Sequence, residues 1–208
     1  MKRSRWSDRP VTRSIRLLTG LVLFGLGLAL LVQARLGLDP WTVLTQGIAE
    51  RTGLTLGATT VVLSLVVLLV WIPLRERPGP GTVANALVVG PVLDLGIAVI
   101  PAPDALAVRL VFLVVAVLVV AVGTGLYVGA GWGPGPRDGL MTGLARRGLP
   151  LFAARALIEG TVLLVGWLLG GSVGLATVVF ALAIGPLVGR ALSRLALPPT
   201  PYGPGAQD

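Results

Sequence analysis

Residues 105–129 read ALAVRLVFLVVAVLVVAVGTGLYVG, a stretch whose only charged side chain is Arg109. At ~1.5 Å of rise per residue, a helix of this length crosses the ~30 Å hydrocarbon core of a bilayer. Working outward, comparable apolar runs occur near residues 14–34, 56–74, 81–101, 150–169 and 172–193. The segments between them carry glycine, proline or charge, at 37–40, 75–81, 101–104, 131–137 and the pair Gly170 and Gly171. The expectation is an all-α, polytopic membrane bundle of about six spans. Of the 208 residues, 54% are hydrophobic and 12% charged, too apolar a balance for the surface of a water-soluble domain of this size. Within this scheme, residues 1–13 form a basic cytoplasmic tail, 14–197 a single membrane domain, and 198–208 a disordered cytoplasmic tail rich in proline and glycine.

Composition also excludes chemistry. The chain has no cysteine or histidine, so disulfides, thiol nucleophiles, imidazole acid–base catalysis and cysteine- or histidine-bound zinc are ruled out. Lys2 is the only lysine, and the glycine-rich stretch 129–135 lacks the Lys-Ser/Thr ending of a phosphate loop. No cofactor, metal ion or enzymatic activity is expected. The formal charge of +8 lies in segments flanking apolar runs, which points to membrane orientation and away from nucleic acid.

Basic residues are retained on the cytoplasmic side of a bilayer. With the N-terminus inside the cell membrane, Lys2, Arg3, Arg5, Arg9, Arg13, Arg16, Arg75, Arg77, Arg137, Arg146, Arg147, Arg155, Arg190 and Arg194 fall on that side, and Arg35, Arg51 and Arg109 fall outside. Both termini are then cytoplasmic. A competing reading makes the first run a signal peptide cleaved after Val32-Gln33-Ala34. An internal repeat opposes it, because the first run then has a counterpart in mid-chain.

Sliding the sequence against itself by about 95 to 98 residues superposes several features. Gly25 and Gly27 fall on Gly123 and Gly125. Pro40, Leu44, Gly47 and Ala49 fall on Pro136, Leu140, Gly143 and Ala145. Trp71 falls on Trp167, Thr82-Val83 on Thr177-Val178, and Gly90-Pro91 on Gly185-Pro186. Repeat one covers about 14–104 and repeat two about 105–197. With three spans each, the units enter the bilayer from opposite faces, as in the inverted repeats of secondary transporters. Both units contain a short segment that begins at proline, DPWTVLTQGIA from Asp39 and GPRDGLMTGLA from Gly135. Each is too short to span. One reading makes them interfacial helices, with Trp41 as an anchor; the other makes them re-entrant half-helices with N-terminal ends turned toward a central ligand.

RLGLDPWTVLTQGIA (35–49), GWGPGPRDGLMTGLA (131–145) and the two Gly-Pro spans resemble the YczE, YyaS and YitT-like bacterial integral membrane proteins. The resemblance runs from about Arg16 to Arg194, and Pro40-Trp41 and Pro136-Arg137-Asp138-Gly139 are its most specific parts. It implies a small multi-span membrane protein, without a substrate or catalytic residues. YitT-like members carry a soluble C-terminal domain that this sequence lacks, so the YczE-like branch is the closer match.

An ionisable group inside a span costs about 2.5 to 3.5 kcal/mol on insertion scales, so such groups are the primary site candidates. They are Asp94 in the third span and Arg155 with Glu159 in the fifth, the latter spaced to pair on one helix face. Asn85 joins them as a polar residue close to the depth of Arg155, and Asn85, Thr60 and Ser64 are all placed to hydrogen-bond between helices. Asp39, Pro40, Trp41, Pro136, Arg137 and Asp138 form a second candidate set, carried by the repeated motif. The ion pair also has a structural reading, as a neutral link that packs the bundle. The leading functional expectation is a secondary transporter or permease acting on a small molecule or ion. The alternative is a non-transporting accessory or assembly protein that holds a membrane-protein partner. A cysteine introduced into the natural cysteine-free chain as Pro78→Cys tests the orientation: a membrane-impermeant maleimide should label it only after the cells are permeabilised.

Overall fold

The computed structural model of the chain describes residues 10–197; most of the expected basic tail and all of the expected C-terminal tail lie outside the described residues. Eight α-helices follow in order: α1 (Pro10–Ala34), α2 (Pro40–Thr52), α3 (Leu56–Val70), α4 (Pro80–Val99), α5 (Leu106–Gly129), α6 (Pro136–Ala145), α7 (Leu151–Leu168) and α8 (Leu175–Leu195). Five of them, α1, α4, α5, α7 and α8, are individually long and apolar enough to cross a membrane, and α2 with α3 forms a sixth candidate bent by 112°. The outward faces carry Leu69, Leu95, Val99, Phe152, Leu168 and Leu182, all exposed. Side chains of this kind are matched by lipid rather than by water.

The expected second span, 56–74, is cut short. Helix α3 stops at Val70 because Pro73 has no amide to donate and Arg75 adopts a left-handed φ of 52°. The buried Trp71 at this end donates its indole N–H to Pro136 O at 3.0 Å, tying the end of α3 to the start of α6.

Helices α1 and α5 pack on each other along their length; α4 lies against α1, and α8 against α5. The α1–α5 crossing depends on small residues. A Cβ on Gly27 would stand 3.0 Å from Val120 N, and one on Gly123 would stand 2.7 Å from Phe24 N. Gly27 and Gly123 thus take matching places in the crossing, where the sequence comparison sets Gly25 against Gly123. The ends of the two helices are tied in a matching way. Arg13 on α1 donates to Ala130 O at 2.5 Å, beyond the end of α5, and Arg109 on α5 donates to Ala34 O at 2.7 Å, at the end of α1. Each arginine satisfies a carbonyl that the terminating helix leaves without an internal donor.

The other contacts also come in pairs. Helix α2 packs on α7, and α6 packs on α3. The backbone of Gly81 donates to Trp132 O, and that of Ala176 donates to Leu36 O, both at 2.8 Å. Gly79 and Gly174, at the N-caps of α4 and α8, donate to the hydroxyls of Thr82 and Thr177, both at 3.1 Å. One pairing fails to recur. Helices α3 and α4 are closely packed, with Asp94 accepting from Gly57 N at 2.7 Å, whereas α7 and α8 make at most marginal contact. Trp71 is buried against α6, whereas Trp167 is exposed.

The crossing generates a stability prediction. Gly123→Ala should destabilise the protein by about 1–3 kcal/mol through overpacking. Gly160→Ala, where an added methyl meets nothing within 4 Å, should be neutral or stabilising by up to about 1 kcal/mol. Unfolding of the purified variants in one detergent measures both.

Candidate functional site

The two short helices are built alike at their N-terminal ends. Pro40 and Pro136 each occupy a first helical position, where the missing amide hydrogen costs nothing and the fixed φ favours the helix. The preceding linkers turn through Gly37 and Gly133, with φ of 101° and 108°. Asp39 caps α2, its Oδ2 accepting from Thr42 N at 3.3 Å, and Gly135 caps α6 without a side-chain bond.

These ends meet. The Arg137 guanidinium in the first turn of α6 stands 3.6 Å from Asp39 Oδ2 and 5.2 Å from the centre of the Trp41 ring. From there α2 runs toward the C-terminal end of α7, where Arg51 Nε donates to Leu169 O at 3.1 Å. Helix α6 runs toward the segment after α3, where Arg146 is bonded to Glu76. That hydrogen bond raises the Arg146 pKa above its already high ordinary value, so the guanidinium stays charged. Most of the first three turns of α2 are buried, Pro40, Trp41, Thr42, Val43, Leu44 and Thr45 among them. Helix α2 is thus enclosed by the rest of the bundle, packed on α7 and α3.

A cavity of about 90 Å³ opens where the two ends meet. It lies between the apolar core built on α1, α4, α5 and α8 and a smaller cluster of Trp41, Val67, Trp71, Met141 and Ile158. Its charged lining comprises Asp39, Arg137, Asp138, Arg155 and Glu159. Its neutral polar lining includes Thr60, Ser64, Asn85, Thr124 and Tyr127, and Phe24, Val120, Phe180 and Ile184 supply apolar wall. Arg155 Nε donates to Glu159 Oε1 at 2.9 Å, the pair expected from their spacing, and the Tyr127 hydroxyl donates to Asp138 Oδ2 at 2.6 Å. Thr60 and Thr124 bond back to carbonyls of their own helices.

The structure therefore brings the two candidate sets together. Arg155, Glu159 and Asn85 share one cavity with Asp39, Pro40, Trp41, Arg137 and Asp138. Pro136 stands one residue away and contributes its carbonyl to Trp71. Asp94 does not belong to this cavity. It lies near the end of α4 and accepts from Thr55 Oγ1 at 2.5 Å and from Gly57 N at 2.7 Å, capping the start of α3. Its carboxylate satisfies otherwise orphaned helix-end donors, a structural task. Sequence reasoning missed Tyr127, a fully buried hydroxyl that orients Asp138. It also missed the end-capping by Arg13 and Arg109, for which the signal was present, since the repeat offset superposes the two arginines.

Three comparisons bear on this arrangement. The family described as "Family of unknown function (DUF6198)" matches residues 11–192. An uncharacterized protein of Haemophilus influenzae is 42% identical over 201 residues, covering 96% of this chain and 92% of its own length. The uncharacterized membrane protein YczE of Bacillus subtilis is 28% identical over 80% of this chain and 79% of its own, and YyaS of the same organism is 26% identical over 76% and 81%. No solved structure matches the chain.

The capping role of Asp94 leads to a test. Asp94→Ala should lower stability by about 1–3 kcal/mol, because Gly57 N and Thr55 Oγ1 lose their acceptor. The charged cavity should remain intact. Thermal unfolding read beside a ligand-binding or flux assay separates this effect from a loss of function.

Proposed function

The chain belongs to the DUF6198 family of YczE-like integral membrane proteins, and from the geometry of its central cavity we propose that it is a secondary transporter of the cell membrane. The observation that carries the reading is the meeting of two short-helix N-termini at a cavity lined by five charged side chains. Helix ends carry partial positive charge, and transporters place such ends at the bilayer midplane to hold a solute or ion. No enzymatic step is required of it.

In this reading the bundle is two inverted three-span units, α1 to α4 and α5 to α8, with both termini cytoplasmic. The exchanged contacts support it: α1 with α4 answers α5 with α8, α2 with α7 answers α6 with α3, and Arg13 answers Arg109. Spans α3 and α7 then cross in opposite senses, so α2 and α6 return to opposite faces of the membrane. The unequal packing of α3–α4 and α7–α8 supports alternating access, since two similar units in different conformations leave one side of a shared site closed and the other open. Arg155, at the loosely packed side, keeps 37% of its side chain exposed.

The accessory reading draws on the small cavity, which is modest for a solute path. Flux and partnership separate the two. After reconstitution into liposomes, a broad solute screen should find at least one substrate, and Glu159→Gln should abolish or strongly reduce its flux while leaving abundance nearly unchanged. Glutamine keeps the size and hydrogen-bonding reach of glutamate without its charge or exchangeable acidic proton. If Glu159 only neutralises Arg155, the variant should instead lose about 2 kcal/mol of stability, a buried-pair value discounted because Arg155 is partly exposed, and Arg155→Gln added to it should restore both folding and flux. Absence of flux for every solute, together with one stoichiometric co-purifying membrane protein, would establish the accessory role.

A further inference from the structure

A second hollow lies on the outside of the bundle and shares no lining residue with the charged cavity. It is a groove of about 490 Å³ on the outward face of α3, walled by Val62, Leu65, Val66, Leu69 and Ile72, all of them exposed. From Val62 to Ile72 it runs roughly 15 Å at ~1.5 Å of rise per residue, half of the ~30 Å hydrocarbon core and so the depth of one leaflet. Beyond the end of α3 the groove is bounded by Glu76 and Pro78, in the segment that leads to α4. An apolar trough that ends at polar side chains matches an acyl chain below its headgroup.

The charges at that end are lopsided. Arg146 is held at the groove by its bond to Glu76, with 59% of its side chain exposed, and Arg147 donates to Pro73 O at 2.6 Å. Arg75 and Arg77, on either side of Glu76, are exposed and have no ion-pair partner among the described residues. Four guanidiniums therefore meet one carboxylate. The internal repeat separates what the fold requires from what it does not. At the offset that sets Pro40 on Pro136, Arg51 falls on Arg147 and Pro73 on Leu169; Arg51 donates to Leu169 O as Arg147 donates to Pro73 O. Capping the helix end is thus common to both units. Arg75, Arg77 and Arg146 fall on Gly171, Val173 and Glu50, so the α7 end carries Arg51 beside Glu50 and no basic cluster. A guanidinium offers five N–H donors in a fork suited to phosphate, and the bonds at the α3 end leave most of them free.

From this juxtaposition of an apolar groove and a basic cluster we propose that the end of α3 holds one anionic phospholipid of the surrounding bilayer. One acyl chain lies in the groove, and the phosphate sits against Arg146 with Arg75 and Arg77 beside it. Basic clusters next to a span attract acidic lipids by charge alone, and here the groove adds a seat for the chain. A zwitterionic lipid fills the groove equally well but brings its own cation to the arginines, so net charge sets the preference. The site is independent of the transport reading. Retention of basic residues on the cytoplasmic side accounts for the cluster without any bound lipid, and the two explanations differ wherever the two sides of the membrane are made alike.

The purified full-length chain in nanodiscs of mixed phosphatidylglycerol and phosphatidylcholine with identical acyl chains tests this, with retained lipid counted by native mass spectrometry. Both faces of a nanodisc are alike, so an orientation signal predicts no preference between the two lipids. One phosphatidylglycerol per chain should be retained, at least roughly tenfold over phosphatidylcholine. Arg75→Gln combined with Arg77→Gln should cut that preference by roughly tenfold or more and leave the unfolding temperature unchanged, because neither side chain has an ion pair to lose. Should the double variant not fold, Arg77→Gln alone should cut it about fivefold. Leu69→Trp, which fills the groove, should lower retention of phosphatidylglycerol with every arginine still in place. Glycerol phosphate, a water-soluble headgroup without a chain, should not displace the lipid at equal concentration. Equal retention of the two lipids, unchanged retention in the folded arginine or tryptophan variants, or displacement by glycerol phosphate would overturn the proposal. So would a second copy seated in the groove, seen as a disulfide-linked dimer of Leu69→Cys in the otherwise cysteine-free chain with phosphatidylglycerol excluded.

Discussion

A charge buried among apolar helices has little water to solvate it, and the rest of this structure is arranged around that constraint. Five ionisable side chains converge on one cavity, and each is held beside an opposite charge, a hydroxyl or a helix end. The contact between Asp39 and Arg137 is central, because it joins two helices far apart in sequence at the ends where both carry partial positive charge. Asp39 satisfies an amide at the start of α2 and reaches toward α6. Without a carboxylate there, two helix N-termini and two guanidiniums would face one another with less to neutralise them.

The frame that holds the short helices is apolar and closely packed. Helices α1 and α5 approach until Gly27 and Gly123 leave little room for a methyl group, and each is tied at its end by an arginine from the other. Arg109, the one charged residue of α5, thereby has a structural reason for its position. Its guanidinium is spent on the carbonyls of Ala34 and Arg35. The linkers after α1 and α5 lead from these tied ends into α2 and α6.

The two outer helix pairs are packed unlike each other. Asp94 bonds α4 to the start of α3, and Trp71 bonds the end of α3 to α6, so that side of the bundle is fastened at two points. On the other side Arg155 and Glu159 pair on α7, which makes at most marginal contact with α8. Gly185 on α8 has Arg155 as the neighbour nearest to an added Cβ, at 3.7 Å.

The sequence alone determined the solvent and the secondary structure. Long apolar runs need a bilayer, their breaks carry glycine, proline or charge, and the Arg155–Glu159 pair follows from helical spacing within one span. Proline at the start of each short motif marked the N-termini of α2 and α6. What only the tertiary structure decided is where those N-termini point and which charges share a cavity. Asp39 and Arg137 meet across nearly a hundred residues, and no local periodicity encodes a contact of that range. Asp94 shows the converse. Its cost of burial was legible, but whether a partner helix would offer it amide donors or an open cavity depended on how α3 and α4 pack, and hydropathy alone does not specify that arrangement.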